Sequence, residues 1–437
     1  MRTSKKYVLL CYVKDWKMTK YPPSSILRSS LLFTTLFIIF TLSGCSGGGG
    51  GGADDNESTA LIITPLNPAH VPAGEFAWVS FSGAEPDLTA FTAEGGVVNQ
   101  IIFNSEQTIT VDGIKSGDTL FYDYDRNSGS KSSSAGLPID FMSYQYGLVA
   151  LPDKTISAIL PPIHTVSTAF PAGSYQFKIQ NLGLSDATVN VTQVYKTDGD
   201  FSSGKLDINL FVYTAGEPNP VIPDRKEANN IKNLLNDVLG QAGITINNLR
   251  VEFIDNPEVI ADMNTGDDLT QFLASASRET LGRSDNGINC FLLPWLPNRI
   301  LGRDGAIPGP AIHGTQASGI VARAAKYGYS AEGFTEHETD QRVLVKILAH
   351  EIGHYMGLFH TTESDGNLKD PLPDTPECGI ENDQNGDGKV TGPECRDKGA
   401  ANLMFWTIDS GLISTGSFQS EISGYQLDVV NTHPLVR

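Results

Sequence analysis

The chain has 437 residues, with 31 Lys and Arg against 50 Asp and Glu and a formal net charge of −19. That balance excludes nucleic acid as a partner, since gripping a phosphate backbone needs clustered cations. Gly (44) and Pro (24) are abundant and only 19% of residues are charged, which disfavours a helical bundle and favours strands and loops. At about 150 residues per domain, the length accommodates two globular domains with tails.

Residues 1–45 read as an export leader rather than as part of a fold. Lys5, Lys6, Lys14, Lys17, Lys20 and Arg28 make it positive, and the apolar run over 31–42 follows. That run is too short to cross a hydrocarbon core of about 30 Å as a helix. It ends in Leu42-Ser43-Gly44-Cys45, which resembles a bacterial lipobox. The resemblance implies that Cys45 becomes the lipidated first residue and ties the mature chain to a bilayer. Ser46 after it implies, in the same way, the outer membrane or cell surface. Met1 and Met18 both stay open as the start. Residues 46–59 form a Gly-rich tether, because glycine loses too much conformational freedom to order there. Export places the later cysteines in an oxidising compartment. Cys378 and Cys395, close in sequence, are read as a disulfide, and Cys290, inside an apolar stretch, as a buried thiol.

From 60 to 196 short segments alternate apolar and polar residues with period two, as in Phe76–Phe81, Thr108–Val111, Thr119–Tyr124, Ser174–Ile179 and Thr188–Val194. Turn signals such as Asp112-Gly113 and Ser116-Gly117 separate them. An all-β sandwich is expected. His70 and His164 stand alone, so this region reads as a packing domain, or as a binding module for carbohydrate or protein. Residues 197–204 form a linker. In 205–437 the period changes. Leu206–Tyr213 reads as a strand, 224–240 as an amphipathic helix capped by Asp224 and stopped at Gly240, and Val251–Ile254 as a second strand. That series predicts an α/β layer. Asn289–Leu293 and Gly319–Ala322 are further strands, the second an edge able to pair with an extended peptide.

Residues 341–357 predict a buried helix, with Asp340 or Thr339 at its cap. His350 and His354 lie one turn apart on it, so both imidazoles can reach one ion at the roughly 2.0–2.1 Å that zinc needs. Glu351 is rotated by about 100° and is placed to accept a proton from a water rather than to ligate. Gly357 permits a sharp left-handed exit, and the chain returns with His360 as third ligand. Three neutral imidazoles leave one coordination position open, which is the arrangement of a catalytic rather than a structural zinc.

The pattern His350-Glu-x-x-His354-x-x-Gly357-x-x-His360 resembles the metzincin zinc signature. Asn402-Leu-Met-Phe-Trp406 resembles the methionine turn of that family, with Met404 as its methionine. Thr361-Thr, Asp374-Thr-Pro376 and the cysteine-bounded loop look most like the pappalysin-type branch. The resemblance implies an α/β metzincin-like catalytic domain over 205–437. Trp406 stands where some metzincins carry a Tyr, so no phenol is expected at the metal from that position.

Asp383-x-Asn385-x-Asp387-Gly388-Lys389-x-Thr391-x-x-Glu394 fits a twelve-residue Ca²⁺ loop, with Lys389 offering its backbone carbonyl. These readings add up to a monomeric, lipid-anchored zinc endopeptidase. It would hydrolyse extracellular proteins or peptides, with Glu351 as general base on a metal-activated water. The alternative is a zinc-containing surface binding protein or adhesin without turnover, against which the retained Glu351 argues.

Overall fold

The computed structural model describes residues 61–80, 98–135, 153–161, 174–196, 202–214, 222, 224–256, 266–279, 287–294, 296, 297, 300–324, 341–407 and 419–437. The leader, the lipobox with Cys45, the tether, His164, the 339–340 cap and most of the 197–204 linker lie outside them. Among the described residues strand is the prevailing element, organised in two sheets.

The N-terminal sheet is all-β. Its strands are β1 (Ile62–Val71), β2 (Phe76–Ser80), β3 (Val98–Ser116), β4 (Thr119–Asp125), β5 (Ser130–Ser132), β6 (Asp153–Leu160), β7 (Gln176–Asn181) and β8 (Ala187–Lys196). The 19-residue β3 is its spine. Residues 98–104 of β3 pair antiparallel with β8 on one side and β6 on the other, and residues 109–116 pair with β7 and β4. Inward residues from both halves of β3, among them Ile101, Phe103, Ile109 and Val111, close on one apolar core with Phe121, Phe177 and Val189.

Alternation along β3 and its neighbours predicted half-buried strands, with one wet face. The structure buries both faces of the β8–β3–β6 portion. Ile101 and Phe103 face the core just described, while Ile102 and Val194 join the core of the second sheet. The polar side chains of Gln100, Ser157 and Lys196 are buried there. All described residues fall into one compact unit.

The second sheet is built from β9 (Gly204–Tyr213), β10 (Ile244–Ile254), β11 (Ile288–Leu293), β12 (Gly302–Asp304) and β13 (Ile320–Arg323), in the order β10-β9-β11-β13-β12. The first four in that order run parallel, and β12 is antiparallel to β13. Parallel strands need long crossovers and read as apolar runs because both faces are covered. β11 is accordingly buried at every position. Helix α1 (Arg225–Leu239) links β9 to β10, opening where the Asp224 side chain accepts from Glu227 N, as the cap signal predicted. Helix α2 (Gly266–Glu279) packs Leu269, Phe272 and Leu273 on one sheet face. α1, α3 (Gln341–Tyr355) and α4 (Gly424–Thr432) lie in the core on the other.

One expectation is corrected. The strand over Gly319–Ala322 is not an edge, because β12 covers it. With three residues, β12 is too short to show a period-two signal.

Candidate metal centre

Helix α3 is apolar around most of its circumference, and Leu344 through Tyr355 are all buried. It ends because Gly357 takes a φ of 110°, a conformation that suits glycine and disfavours side chains. Leu358 N then donates to Gly353 O and Gly357 N to His354 O, which turns the chain back and delivers His360. His350, His354 and His360 thereby meet, each 5% exposed or less.

Their Nε2 atoms form a near-equilateral triangle, with separations of 3.1, 3.1 and 3.2 Å. The opposite nitrogen of each ring is held. His350 Nδ1 donates to Leu403 O at 2.8 Å, His354 Nδ1 to Leu358 O at 2.7 Å, and His360 Nδ1 to a Glu363 carboxylate oxygen at 2.9 Å. Carbonyl and carboxylate oxygens only accept, so in each neutral ring the proton sits on Nδ1 and Nε2 presents a bare lone pair. Burial, and then the neighbouring imidazoles, hold His350 and His354 well below the ordinary histidine value. Three converging lone pairs without a hydrogen between them repel, and a cation at their centre resolves the repulsion. Two nitrogens on a tetrahedral ion at roughly 2.0–2.1 Å stand about 3.3 Å apart, so the triangle fits the ion with little adjustment. Among the described residues this is the one group of three His, Cys, Asp or Glu whose ligand atoms lie within 4.8 Å of one another.

The expected methionine turn supports the cradle from below. A Cβ on Gly353 would stand 2.6 Å from Met404 Sδ, so the sulfur rests against the helix between the two ligands. Leu403 O accepts from His350, and Met404 O accepts from Thr361 N, next to His360. Asn402, buried, fixes the turn by accepting from Met404 N and exchanging amide bonds with Gln426. Trp406 turns away, its indole N–H donating to Val390 O. Glu351 is 2% exposed and packs against the edge strand, where a Cβ on Gly302 would collide with its carboxylate.

The acidic loop has a different character. Cys378 and Cys395 are bonded across its base, and Cys290 is free and buried. Asp383 accepts from Gly386 N and Gly388 N, Asn385 from Asp387 N, and Asp387 from Lys389 N. Glu394 accepts from Gln384 N, Thr391 N and the Thr391 hydroxyl. Gly386 and Gly388 take φ of 71° and 78°. Asn385 and Asp387 are exposed and Asp383 is half-buried, and their oxygens accept from the loop's own amides. Val390 anchors the loop in a small cluster with the disulfide and Trp406.

Sequence reading missed Glu363, Lys346 and Gly302. Glu363 carries a weak signal, being a carboxylate three residues past the third histidine. Lys346 is buried one turn before His350 and donates to the same Leu403 carbonyl. Gly302 comes from a distant strand and carries no local signal.

No known protein-family pattern matches the chain. A search of curated proteins finds no match either. Among solved structures, the crystal structure of metalloproteinase-II from Bacteroides fragilis is 11% identical, with a TM-score of 0.29 over 53% of this chain and 54% of that one. A chaperone-substrate complex is also 11% identical, with a TM-score of 0.29 over 54% of this chain and 35% of that one. The chain thus spans about half the length of the first and about a third of the second. Scores of this size establish no common fold.

Proposed function

We propose that this chain is a zinc-dependent endopeptidase of the metzincin type, nearest the pappalysin branch, exported and lipid-anchored through Cys45. In this reading residues 205–437 are its α/β catalytic domain, 60–196 an N-terminal sandwich, and extracellular proteins or peptides its substrates. The observation that carries the reading is the triangle of buried Nε2 atoms 3.1–3.2 Å apart, with each opposite Nδ1 held by an oxygen. Three imidazoles suit zinc, and three protein ligands leave a position for chemistry. When bound, the ion supplies a Lewis acid for a peptide carbonyl and a water acidified towards a pKa of roughly 7.

The chain's own residues supply the rest. The carbonyls of Leu403 and Leu358 and the carboxylate of Glu363 fix ring orientation and strengthen the imidazoles as donors. Glu351, on the residue after His350, accepts the proton of the attacking water and passes it to the leaving amine. Gly302 leaves room for that carboxylate beside the edge strand. The acidic loop binds Ca²⁺ weakly through Asp383, Asn385, Asp387, Lys389, Thr391 and Glu394, as extracellular sites do.

The test is cleavage of casein or gelatin by purified protein with and without 1,10-phenanthroline, together with elemental analysis. One equivalent of zinc and chelator-sensitive cleavage are expected. Glu351→Gln should retain the zinc and lose about 10²–10⁴-fold in kcat. Stoichiometric metal with no turnover against any protein substrate would favour the binding-protein reading. Absence of a stoichiometric transition metal would sink both.

A further inference from the structure

Gln100 is a polar side chain with no exposure, near the start of β3. Burying an amide is costly unless each of its groups is partnered. Both ends of this one are spent on a single segment of the other sheet's connecting chain. Gln100 Nε2 donates to Gly309 O at 2.7 Å, and Gln100 Oε1 accepts from Ala311 N at 2.7 Å. On the neighbouring strand β6, buried Ser157 donates its hydroxyl to Pro308 O. The N-terminal sheet therefore grips 308–311 through two side chains.

The same segment grips the end of the metal-bearing helix. Gly309 N donates to Tyr355 O at 2.7 Å, and the Tyr355 hydroxyl donates to Pro310 O at 2.6 Å. The Tyr355 ring lies so close over Gly309 that any Cβ there would run into it. Tyr355 is bonded to His354, and the turn that follows supplies the Leu358 carbonyl that orients the His354 ring. From the other side, His433 Nε2 donates to the same Gly309 carbonyl at 3.0 Å. A buried, fully partnered polar network of this kind specifies one geometry, which an apolar contact would not.

We infer that Gln100 and Ser157 are positioning residues of the metal centre. Through 308–311 and Tyr355 they set the end of helix α3, so the N-terminal sheet is a working part of the hydrolytic site and not a spacer. This rests on reading the three imidazoles as a catalytic metal site. Its direct consequence is that a cut in the polar clamp, about one sheet away, loosens His354.

The experiment uses the full chain loaded with Zn²⁺ or Co²⁺. Gln100→Met keeps the volume and removes both bonds. Val111→Ala, in the far core of the same sheet, serves as a control that lowers the melting temperature without touching the clamp. Below both melting temperatures, Gln100→Met should lower kcat by about 10-fold or more with KM within about 2-fold, since small misplacements of reacting groups act on the chemical step. It should also speed metal release to a chelator by about 10-fold and alter the visible spectrum of the Co²⁺ form, as expected when the outer partner of a ligand shifts. Val111→Ala should do none of these. Ser157→Ala, a smaller change, should move the same quantities in the same direction if Gln100→Met does not fold. Metal release, spectrum and kcat equal to those of the control would overturn the inference and leave the metal site standing. A wild-type protein that binds no metal would instead overturn the reading on which it rests.

Discussion

The histidine cradle and the acidic loop are both metal-type motifs, separated by about twenty residues, and they are prepared in opposite ways. In the cradle, every Nδ1 is tied to an oxygen and every Nε2 lone pair is left facing its fellows inside a buried space. In the loop, the carboxylates of Asp383, Asp387 and Glu394 are turned onto backbone amides of the loop itself, and most of it is wet. The cradle is unsatisfied without an ion, while the loop can be quiet without one. A site whose polar groups cannot pair among themselves demands its ligand, and one whose groups can pair merely accepts it.

That contrast can be broken most forcefully at His354. His354→Ala should lower metal affinity by at least ~10²-fold and abolish hydrolysis, checked by elemental analysis and peptide cleavage. Stoichiometric metal in that variant would mean the imidazoles are not ligands. Next in size is Gly302→Ala, which places a methyl group where the Glu351 carboxylate lies. Zinc should stay and kcat should fall by about 10²-fold, because the displaced group is the base and not the ligand. Unchanged kcat would show that Glu351 has room to move without loss.

On the loop side, Cys378→Ser with Cys395→Ser opens a closure of 17 residues. The variant should lose about 3 kcal/mol of unfolding free energy while keeping its zinc, measured by denaturation with metal analysis. Loss of zinc would join the two regions into one cooperative site, which the bonds from Val390 N to Ser364 O and from Trp406 to Val390 O make physically reachable. The smallest effect is calcium itself. At ten times a millimolar dissociation constant, binding adds only about 1.4 kcal/mol. Raising Ca²⁺ to about 10 mM should lift the melting temperature by a few degrees in the wild type and not in Asp383→Ala. A rise of equal size in both would remove the loop as its cause.

Much of the cradle was readable in the chain. Histidines four apart on an apolar helix, a glycine three beyond and a third histidine after it are local relations, and local geometry obeys 3.6 residues per turn wherever the helix sits. The Asp224 cap was legible for the same reason, the disulfide from two cysteines close in sequence in a chain read as exported, and Met404 only through the resemblance to a methionine turn. The edge strand was misplaced because β12 has three residues and no pattern. The burial of Gln100 carried no signal, because alternation shows that two faces differ and not what covers either.

By itself, then, the sequence determined which side chains carry chemistry and how they are spaced along one helix and its exit, since those depend on neighbours within a few residues. Only the tertiary structure decided that the Leu403 carbonyl holds the His350 ring, that Gly302 makes space for Glu351, and that an amide from the N-terminal sheet holds the segment under Tyr355. Each of these joins residues about fifty to two hundred positions apart, and no periodicity in a chain records a contact at that distance.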